Sequence, residues 1–553
     1  MEDDKKKMKK EEPKYRGFKA LPFVVCNEAF EKLGTLGATS NLLVYLTTVF
    51  NMKSIAATNV SYVFNGTCNF GTLVGAFLSD TYLGRYTTLA VATLASFLGL
   101  LVLTFTAAFG SLHPVKCGAN SGACGGPSGY QLAVLYTSFA LLVVGASGIR
   151  SCNLAFGADQ FNPKTEQGRK GIAAFFNWYY FTFTFAMMIA LTVIVYIQTD
   201  VSWALGFGIP AILMLLAVVF FLIGTRLYVT VKPEGSPLTS MFQTLYVAFK
   251  KRNLKSKDAA LFNHVDEDSV NSKLATSDQL RFLNKAAIMT PEDTIAADGS
   301  AADKWNLRSI QQVEELKCLI NLIPIWFSGV IYYIVLGLMQ TYVVFQAMQS
   351  DRHLGRGGFQ IPAGTYSIFT MIGITIWIPV YDRICVPILR RFTGMRSGIT
   401  LLQRMGVGLV LGLLTMVVSG LVEKERRRVA LHEPTIGTVP NKGAISSMTA
   451  NLLIPQLLLA GISEAFAVIG EIELFYKQFP ENMRSFAGSF LFCGFAISSY
   501  LSSSVISAVE KNSDWLAEDL NKGRLDYFYY LVAGMQLANI IYFLLCAKRY
   551  NYK

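Results

Sequence analysis

Long apolar runs dominate this sequence and limit what it can fold into. Twelve of them reach the roughly 20 residues that a helix needs to cross the hydrocarbon core of a bilayer. Within that core the backbone must satisfy its own hydrogen bonds, so such runs form membrane-spanning helices. One long polar stretch separates six runs from the other six. The sequence therefore predicts an all-α membrane protein with 12 transmembrane helices.

The spacing of the runs predicts how the chain is divided. Residues 1–19 are a charged N-terminal tail without the apolar core of a signal peptide. Two six-helix bundles cover 20–225 and 313–548, a cytosolic linker with an amphipathic helix covers 226–312, and 549–553 form a short tail. In the linker, the sequences following Thr276 and Thr290 each carry helix-start signals. The alternative is a solvated linker with local caps.

The distribution of Lys and Arg predicts the orientation of the chain. Alternate loops carry an excess of these residues, which assigns both termini to the cytosol. One group contradicts the pattern, because Arg426, Arg427 and Arg428 fall on the outer side. Cys117 and Cys124 share a polar outer loop, so we predict a disulfide between them if that side is oxidising.

Composition excludes several classes of protein. Charged residues make up 16% of the chain, against about 25% in soluble proteins. The net charge of +12 comes from Lys and Arg beside the spans and does not indicate a nucleic-acid partner. The sequence contains no credible nucleophile–base pair, metal cluster or phosphate-binding glycine loop. We therefore expect neither an enzyme nor a bound metal or cofactor.

Charged residues inside the apolar runs are the first functional candidates, because an unpaired charge in a bilayer is costly. Glu28, Glu31 and Lys32 stand at i, i+3 and i+4, on one helical face. Arg150 of the fourth span lies at a similar depth, which predicts a charge network between spans one and four. Two neighbouring carboxylates do not both stay ionised cheaply, so the cluster is a candidate for proton exchange. The alternative is an ion pair that only joins helices.

Three more carboxylates lie in span ten. Glu464 is near its middle, whereas Glu471 and Glu473 are close enough to the cytosolic end for water to reach them.

Aromatic residues near the expected cavity are candidates for stacking on a sugar or an apolar group. They are Trp178, Tyr179, Tyr332 and Tyr333. Ordinary helix packing is the alternative for each of them.

Two loops at matching places in the two halves suggest an internal repeat. The loop after span two contains Asp80, Gly84 and Arg85, and the loop after span eight contains Asp382 and Arg383. Their acid-then-basic pattern resembles the gating loop of the major facilitator superfamily. In that fold two six-helix halves surround a cavity at the middle of the membrane.

Further motifs extend the resemblance over both halves of the chain. The sequence resembles plant members of the proton-dependent oligopeptide transporter family, in its nitrate/peptide transporter branch. The motifs that carry the likeness are Glu28-x-x-Glu31-Lys32, DTYLGRY from Asp80, FGADQF from Phe156, FFNWYYFTF from Phe175, FPENMR from Phe479 and LNKGRL from Leu520. The subgroup most similar to it contains glucosinolate and other glycoside importers and low-affinity nitrate transporters.

The resemblance implies proton-driven symport and assigns roles to particular residues. Glu28, Glu31 and Lys32 match the family's proton-coupling motif, and Arg150 stands where many relatives have a partnering Lys. Glu464 matches an acidic residue of the substrate pocket.

Two positions bear on substrate and regulation. Leu336 stands where the nitrate archetype has a nitrate-binding histidine, and all four histidines of this chain lie in predicted loops. Thr81 follows Asp80 where the family's nitrate transceptor is phosphorylated, which makes a protein kinase an expected partner.

The function expected from these residues is proton-coupled import of a glycoside or another bulky organic solute, driven by the proton gradient. Proton–nitrate symport is the runner-up, and a solute sensor is a further alternative. Related exporters lack the motif at Glu28. The expected partners are protons, a small-molecule substrate and the lipid bilayer. The expected location is the plasma membrane, with the vacuolar membrane as the alternative.

Overall fold

The computed structural model is almost entirely helical. It describes residues 15, 17–115, 125–162, 165–230, 237–254, 261–263, 277, 279–296, 299–355, 358–395, 397–439, 442–479 and 484–550. Cys117 and Cys124, and with them the expected disulfide, lie outside the described residues.

Long helices occur in two groups of six, as the apolar runs predict. The first group is α1 Gly17–Thr39, α2 Ser54–Leu78, α3 Arg85–Ala108, α4 Gly129–Asp159, α5 Glu166–Ile189 and α6 Trp203–Ile223. The second group is α7 Ile310–Met348, α8 Ile368–Val380, α9 Leu401–His432, α10 Ile454–Gln478, α11 Arg484–Asn512 and α12 Leu525–Arg549. Shorter helices cover Leu42–Thr48, Pro237–Lys250 and Val386–Thr393, and one hairpin pairs β1 Gly437–Val439 with β2 Gly443–Ile445.

Within the described part of the chain, ten helical segments are long and apolar enough to cross a membrane. The two long helices outside this set are α1 and α2. Charged residues at Glu28, Glu31 and Lys32 interrupt the apolar run of α1, and asparagines such as Asn65 lower the hydropathy of α2. In α1 the departure from plain apolar composition thus coincides with three buried charged residues.

Each half packs around its own apolar core, and described contacts between α2 and α11 join the halves. One core lies among α1–α6, and two lie mainly among α7–α12. Between the halves, α2 packs along α11. In the predicted orientation most of the described hydrogen bonds that join the halves, such as Tyr62 to Thr341 at 3.0 Å, fall in the outer part of the bundle, whereas Thr67 to Tyr500 lies near its middle.

The two loops that suggested an internal repeat have the same backbone form. Ser79–Leu83 after α2 and Tyr381–Cys385 after α8 are both single π-helical turns. Each turn also meets an arginine from a neighbouring helix start, since Arg85 approaches Asp80 at 3.9 Å and Arg404 lies 4.7 Å over the Tyr381 ring.

The arginine group on the outer side has a structural explanation. Helix α9 continues to His432, and Arg426 is fully buried there in an ion pair of 2.7 Å with Glu423. Its guanidinium also donates to Asn521 at 2.9 Å. These contacts tie α9 to the loop between α11 and α12. Arg426 therefore holds a folded outer cap together and does not signal a cytosolic loop.

The linker contains the helix Pro237–Lys250, which was not predicted from the sequence and which packs against the first turns of α7. The expected helix start at Thr290 is wrong. There Asp293 accepts from the Thr290 backbone and hydroxyl at 2.8 Å each and from Lys251 at 2.9 Å, closing an isolated turn. Burial alone would raise the pKa of Asp293, but these hydrogen bonds outweigh it and hold this pKa below its usual value. The segment after Thr276 forms the 3₁₀ helix Arg281–Ala287 and not a longer α-helix.

Candidate functional site

Helix α1 brings its three charged residues together in the interior of the first half. Glu28, Glu31 and Lys32 are all buried, at 1%, 3% and 8% exposure. The Lys32 ammonium lies 2.8 Å from a Glu31 oxygen and 3.5 Å from a Glu28 oxygen. Thr35, one turn further along, donates to Glu31 at 3.0 Å. The i, i+3, i+4 spacing thus produces a compact cluster with two carboxylates and one ammonium.

Neighbouring helices supply neutral donors to this cluster. The Asn153 amide of α4 and the Tyr179 hydroxyl of α5 both hydrogen-bond to Glu28. Asn153 is buried, at 3% exposure. Asn153 could not be predicted from the sequence, because an uncharged residue in an apolar run gives no signal until the facing helix is known.

Arg150 lies on the same helix as Asn153 but has a different described partner. Its guanidinium donates to Asn69 of α2 at 2.7 Å, and its side chain is exposed. The described ion pairs of Lys32 are with Glu28 and Glu31 alone. In this conformation Arg150 therefore bonds to α2 and does not complete the charge network of the cluster.

The carboxylates of α10 occupy two different environments. One oxygen of Glu464 is buried and makes no hydrogen bond within the described part of the chain. Glu471 is 1% exposed and accepts a hydrogen bond from the Tyr333 hydroxyl, so the expectation that water reaches it is wrong. Glu473 does lie at the helix end, paired with Arg404 at 3.2 Å. The chain thus buries a second acidic site in the other half.

The aromatic and apolar candidates of α7 are mostly occupied by packing. Tyr332 is 1% exposed and shares a 2.7 Å hydrogen bond with Ser463. Tyr333 stacks on Phe495 at 4.1 Å, and Leu336 is buried in the core of the second half. For these three residues the structure favours helix packing over contact with a substrate.

Trp178 of α5 differs from these residues because it is 53% exposed. It meets Phe181 edge to face at 5.9 Å. Of the four aromatic candidates, Trp178 offers the largest open surface.

The loop after α2 joins three helix ends. Arg85 bonds Asp159 at 2.5 Å, which connects the start of α3 to the end of α4. Asp80 approaches the same guanidinium at 3.9 Å. Gly84 has a φ of +75°, a backbone conformation that side chains with a Cβ rarely adopt. Two motifs far apart in sequence, at Asp80 and at Asp159, thus form one ion-pair network.

Thr81 lies in the π-helical turn of this loop, and its hydroxyl is buried without a described hydrogen-bond partner. A kinase needs an accessible hydroxyl, so phosphorylation at Thr81 requires this turn to open.

In the predicted orientation, the halves meet on the outer side through a carboxylate at a helix start. Glu518, in the loop before α12, accepts hydrogen bonds from the Ser54 backbone N–H at 2.6 Å and from its hydroxyl at 2.7 Å. Ser54 is the first residue of α2, where free N–H groups and the helix dipole favour an anion. Asn59 adds hydrogen bonds to Ser503 and Ser507 further along α11. We call the Glu518–Ser54 contact the outer latch.

A profile of the POT family matches residues 86–520 of this chain, which is well over half of it. The chain belongs to the POT family. The family expected from the motifs is confirmed, as is the all-α major facilitator fold. The members of this family are transporters and not enzymes, as expected for this chain. The protein is a membrane transporter.

Curated relatives and solved structures agree with this assignment. The chain is 56% identical over 549 residues to Protein NRT1/PTR FAMILY 2.11 of Arabidopsis thaliana, covering 98% of this chain and 89% of that protein. Protein NRT1/PTR FAMILY 2.9 of the same plant is 54% identical over 547 residues, covering 98% of this chain and 93% of that protein. A crystal structure of the POT family transporter PepTSo superposes with a TM-score of 0.69 at 17% identity, covering 96% of this chain and 98% of that chain. The crystal structure of an auto-inhibited POT family peptide transporter superposes with a TM-score of 0.68 at 16% identity, covering 97% of this chain and 98% of that chain. At these identities the crystal structures show the fold alone.

Proposed function

We propose that this transporter is a proton-coupled symporter that imports a glycosylated or other bulky organic solute. The observation that carries the coupling is the charge balance of the α1 cluster. Two buried carboxylates face one ammonium, so the fully ionised cluster has one uncompensated negative charge. Binding of one proton removes that charge, which gives the cluster two electrostatic states of different cost in a bilayer.

Neutral partners around the cluster support exchange over permanent pairing. Asn153 and Tyr179 are uncharged donors, so they can hydrogen-bond to Glu28 without fixing its ionisation. A purely structural staple needs only one acid and one base. The second carboxylate is the feature that a structural role leaves unexplained.

Transport also needs two alternating conformations, and the contacts between the halves support this requirement. The described hydrogen bonds between them include the Glu518–Ser54 latch and the Asn59 contacts, all on the outer side in the predicted orientation. They fit a state that is closed outward. Breaking a small set of exposed or half-buried polar contacts is a modest cost for opening that side.

The substrate proposal rests on which residues are open. Leu336, in place of a histidine, is buried, and the described histidines His113, His353 and His432 lie in loops or at a helix end. Trp178 is 53% exposed, on the same face of α5 as Phe181 and Phe185, and the proposal requires that this face lines the cavity and not the lipid. Stacking on a sugar or an apolar group needs such an open ring.

One observation favours the runner-up, proton–nitrate symport. Arg150 is exposed and bound by a neutral amide, so its charge is available to an anion. A sensor role through Thr81 has less support, because that hydroxyl is buried. We place the protein in the plasma membrane, with the vacuolar membrane as the alternative.

Electrode recording in one expression system tests the substrate. Plant glucosides, glucosinolates, dipeptides and nitrate are applied in turn at acidic and at neutral external pH. We expect saturable inward current with a glycoside, larger at acidic pH. A saturable nitrate current without any glycoside response would reverse the ranking, and Arg150→Gln should then abolish it.

A further inference from the structure

The linker carries an exposed aromatic surface that the transport mechanism does not use. Helix Pro237–Lys250 buries one face, including Met241 and Val247, against the first turns of α7. Its opposite face is apolar as well. Four aromatic residues on this side are 44% to 67% exposed: Phe242, Tyr246, Phe249 and Trp305. We call these four residues the linker patch.

The linker patch is a connected surface with cations at its edge. Trp305 meets the Tyr246 ring edge to face at 5.5 Å, which joins the helix to the loop before α7. The Arg252 guanidinium lies 4.3 Å from the centre of the Phe249 ring. Lys250 is exposed and donates to Asn306 at 2.5 Å, one residue after Trp305.

Among the described residues named at this edge, the three cations Arg252, Lys250 and Lys304 outnumber one acid, Asp303, so the edge keeps a net positive charge. Asp303 accepts hydrogen bonds from the Trp305 backbone at 2.8 Å and from the Asn306 amide at 2.6 Å, inside its own turn. Lys304, beside it, is exposed. The edge of the patch therefore presents cations next to aromatic rings.

The position of the helix along α7 sets its depth. The part of α7 without charged residues begins at Cys318, directly after the buried Lys317–Glu314 ion pair. Ile310, in the core that holds the linker helix, lies eight residues earlier, which is about 12 Å along the axis, and Val313 about 7 Å. The headgroup layer extends about 5–8 Å beyond the hydrocarbon core on each side. The linker helix thus lies at the level of the headgroups or just outside them.

We propose that the linker patch docks on the cytosolic leaflet and that its basic edge selects anionic phospholipids. Aromatic rings prefer the membrane interface, and a helix with an apolar face and flanking Lys or Arg lies in it. The cytosolic leaflet is the anionic one, which matches the charge of Arg252, Lys250 and Lys304. Docking would anchor the linker that joins the two transporter halves.

Fluorescence quenching by brominated lipids tests the proposal on the full chain. The protein is placed in nanodiscs of phosphatidylcholine with a minor fraction of phosphatidylserine, with either lipid brominated. The difference in emission between the parent protein and Trp305→Phe is the component contributed by Trp305, which reports the linker patch. We expect this component to be quenched, and brominated phosphatidylserine to quench it more than the same amount of brominated phosphatidylcholine. Each cation removed, as in Arg252→Gln, should reduce that preference by up to about fivefold.

Controls separate the other occupants of this face. Lys511→Gln, at the outer end of α11, should leave the preference unchanged. Phe249→Trp should add quenchable emission, which keeps the test valid if Trp305→Phe folds poorly. Absence of quenching at both positions would overturn the proposal. Quenching that decreases when two copies of the protein associate would overturn it as well, because the patch would then contact a second copy and not lipid. Equal quenching by both lipids, unaffected by Arg252→Gln, would overturn the selection of anionic lipid.

Discussion

The outer latch makes a quantitative prediction about the conformational equilibrium. Glu518 accepts two hydrogen bonds from Ser54, at 2.6 and 2.7 Å, and the acceptor and donor belong to different halves. The contact therefore exists only while the outer side is closed. Glu518→Ala removes both bonds and leaves the start of α2 without its anion.

The expected magnitude follows from these two bonds. A hydrogen bond to a charged group contributes about 1.5–3 kcal/mol. Both bonds are partly buried, so water replaces some of the loss on opening, and we take the lower end, about 3 kcal/mol for the pair. Since about 1.4 kcal/mol is a factor of ten, Glu518→Ala should shift the equilibrium toward the outward-open state by up to about a hundredfold. Glu518→Gln keeps acceptor oxygen and should have a smaller effect.

Labelling of a cysteine behind the latch measures this shift. Thr58 is fully buried and lies beside Ser54 and Glu518 in the closed outer end. A membrane-impermeant maleimide should label Thr58→Cys faster in Glu518→Ala, after subtraction of labelling in the parent protein. Glu510→Ala is the matched control, because Glu510 is an exposed acid of the same half. Equal labelling rates in folded Glu518→Ala and Glu510→Ala would refute the reasoning.

Three further predictions concern stability and covalent structure. Burial lowers the pKa of Lys442 to about 8, so folding disfavours its charged form and stability should increase as pH rises from about 8 toward the ordinary lysine value. Lys442→Met should raise the thermal unfolding midpoint at neutral pH by relieving a cost on the order of 3 kcal/mol. This stabilisation should disappear at alkaline pH, where the native lysine is neutral as well. A gain equal to that of the control Lys511→Met at every pH would contradict this. Gly84→Ala should destabilise by on the order of 2 kcal/mol because of its positive φ, and an unchanged unfolding midpoint would oppose it. Cys117 and Cys124 should be disulfide-bonded in non-reduced protein mapped by alkylation mass spectrometry; two free thiols would remove the disulfide and weaken the assigned orientation.

Local periodicity predicted the features that depend on one helix. The i, i+3, i+4 spacing of Glu28, Glu31 and Lys32 fixed their common face before any neighbour was known. The apolar runs likewise predicted the helices and the two groups of six, because burial of the backbone in a bilayer leaves few alternatives.

Features that depend on how helices rotate against each other were not predictable in the same way. Arg150 and Asn153 lie on one helix three residues apart, but Asn153 reaches Glu28 while Arg150 reaches Asn69. Depth along the helix alone could not distinguish them. Glu471 was expected to be wet because of its depth, whereas the Tyr333 hydroxyl of a facing helix encloses it.

Arg426, Arg427 and Arg428 did not fit the distribution of Lys and Arg for a related reason. Counting Lys and Arg treats every cation as exposed, but Arg426 is fully buried against Glu423. A buried pair with additional hydrogen bonds contributes to packing and carries little information on orientation.

We propose that the carboxylates of α1 carry the coupled proton. Glu28→Gln and Glu31→Gln keep size and hydrogen-bonding groups but cannot exchange a proton. Coupling requires that the proton change the balance between inward-facing and outward-facing states, and a permanently neutral side chain cannot supply that change. Lys32→Ala should fail as well, because it removes the cation that faces both carboxylates.

Purified variants in proteoliposomes give the most direct measurement, with the substrate identified by electrode recording. Uptake driven by a pH gradient is compared with exchange of labelled substrate at equal pH on both sides. Glu473→Gln is the control, since Glu473 lies at the helix end and is 36% exposed. If these carboxylates carry the proton, Glu28→Gln and Glu31→Gln lose gradient-driven accumulation but keep exchange, while the control keeps both. Well-folded Glu28→Gln and Glu31→Gln proteins that still concentrate substrate against its gradient would contradict it.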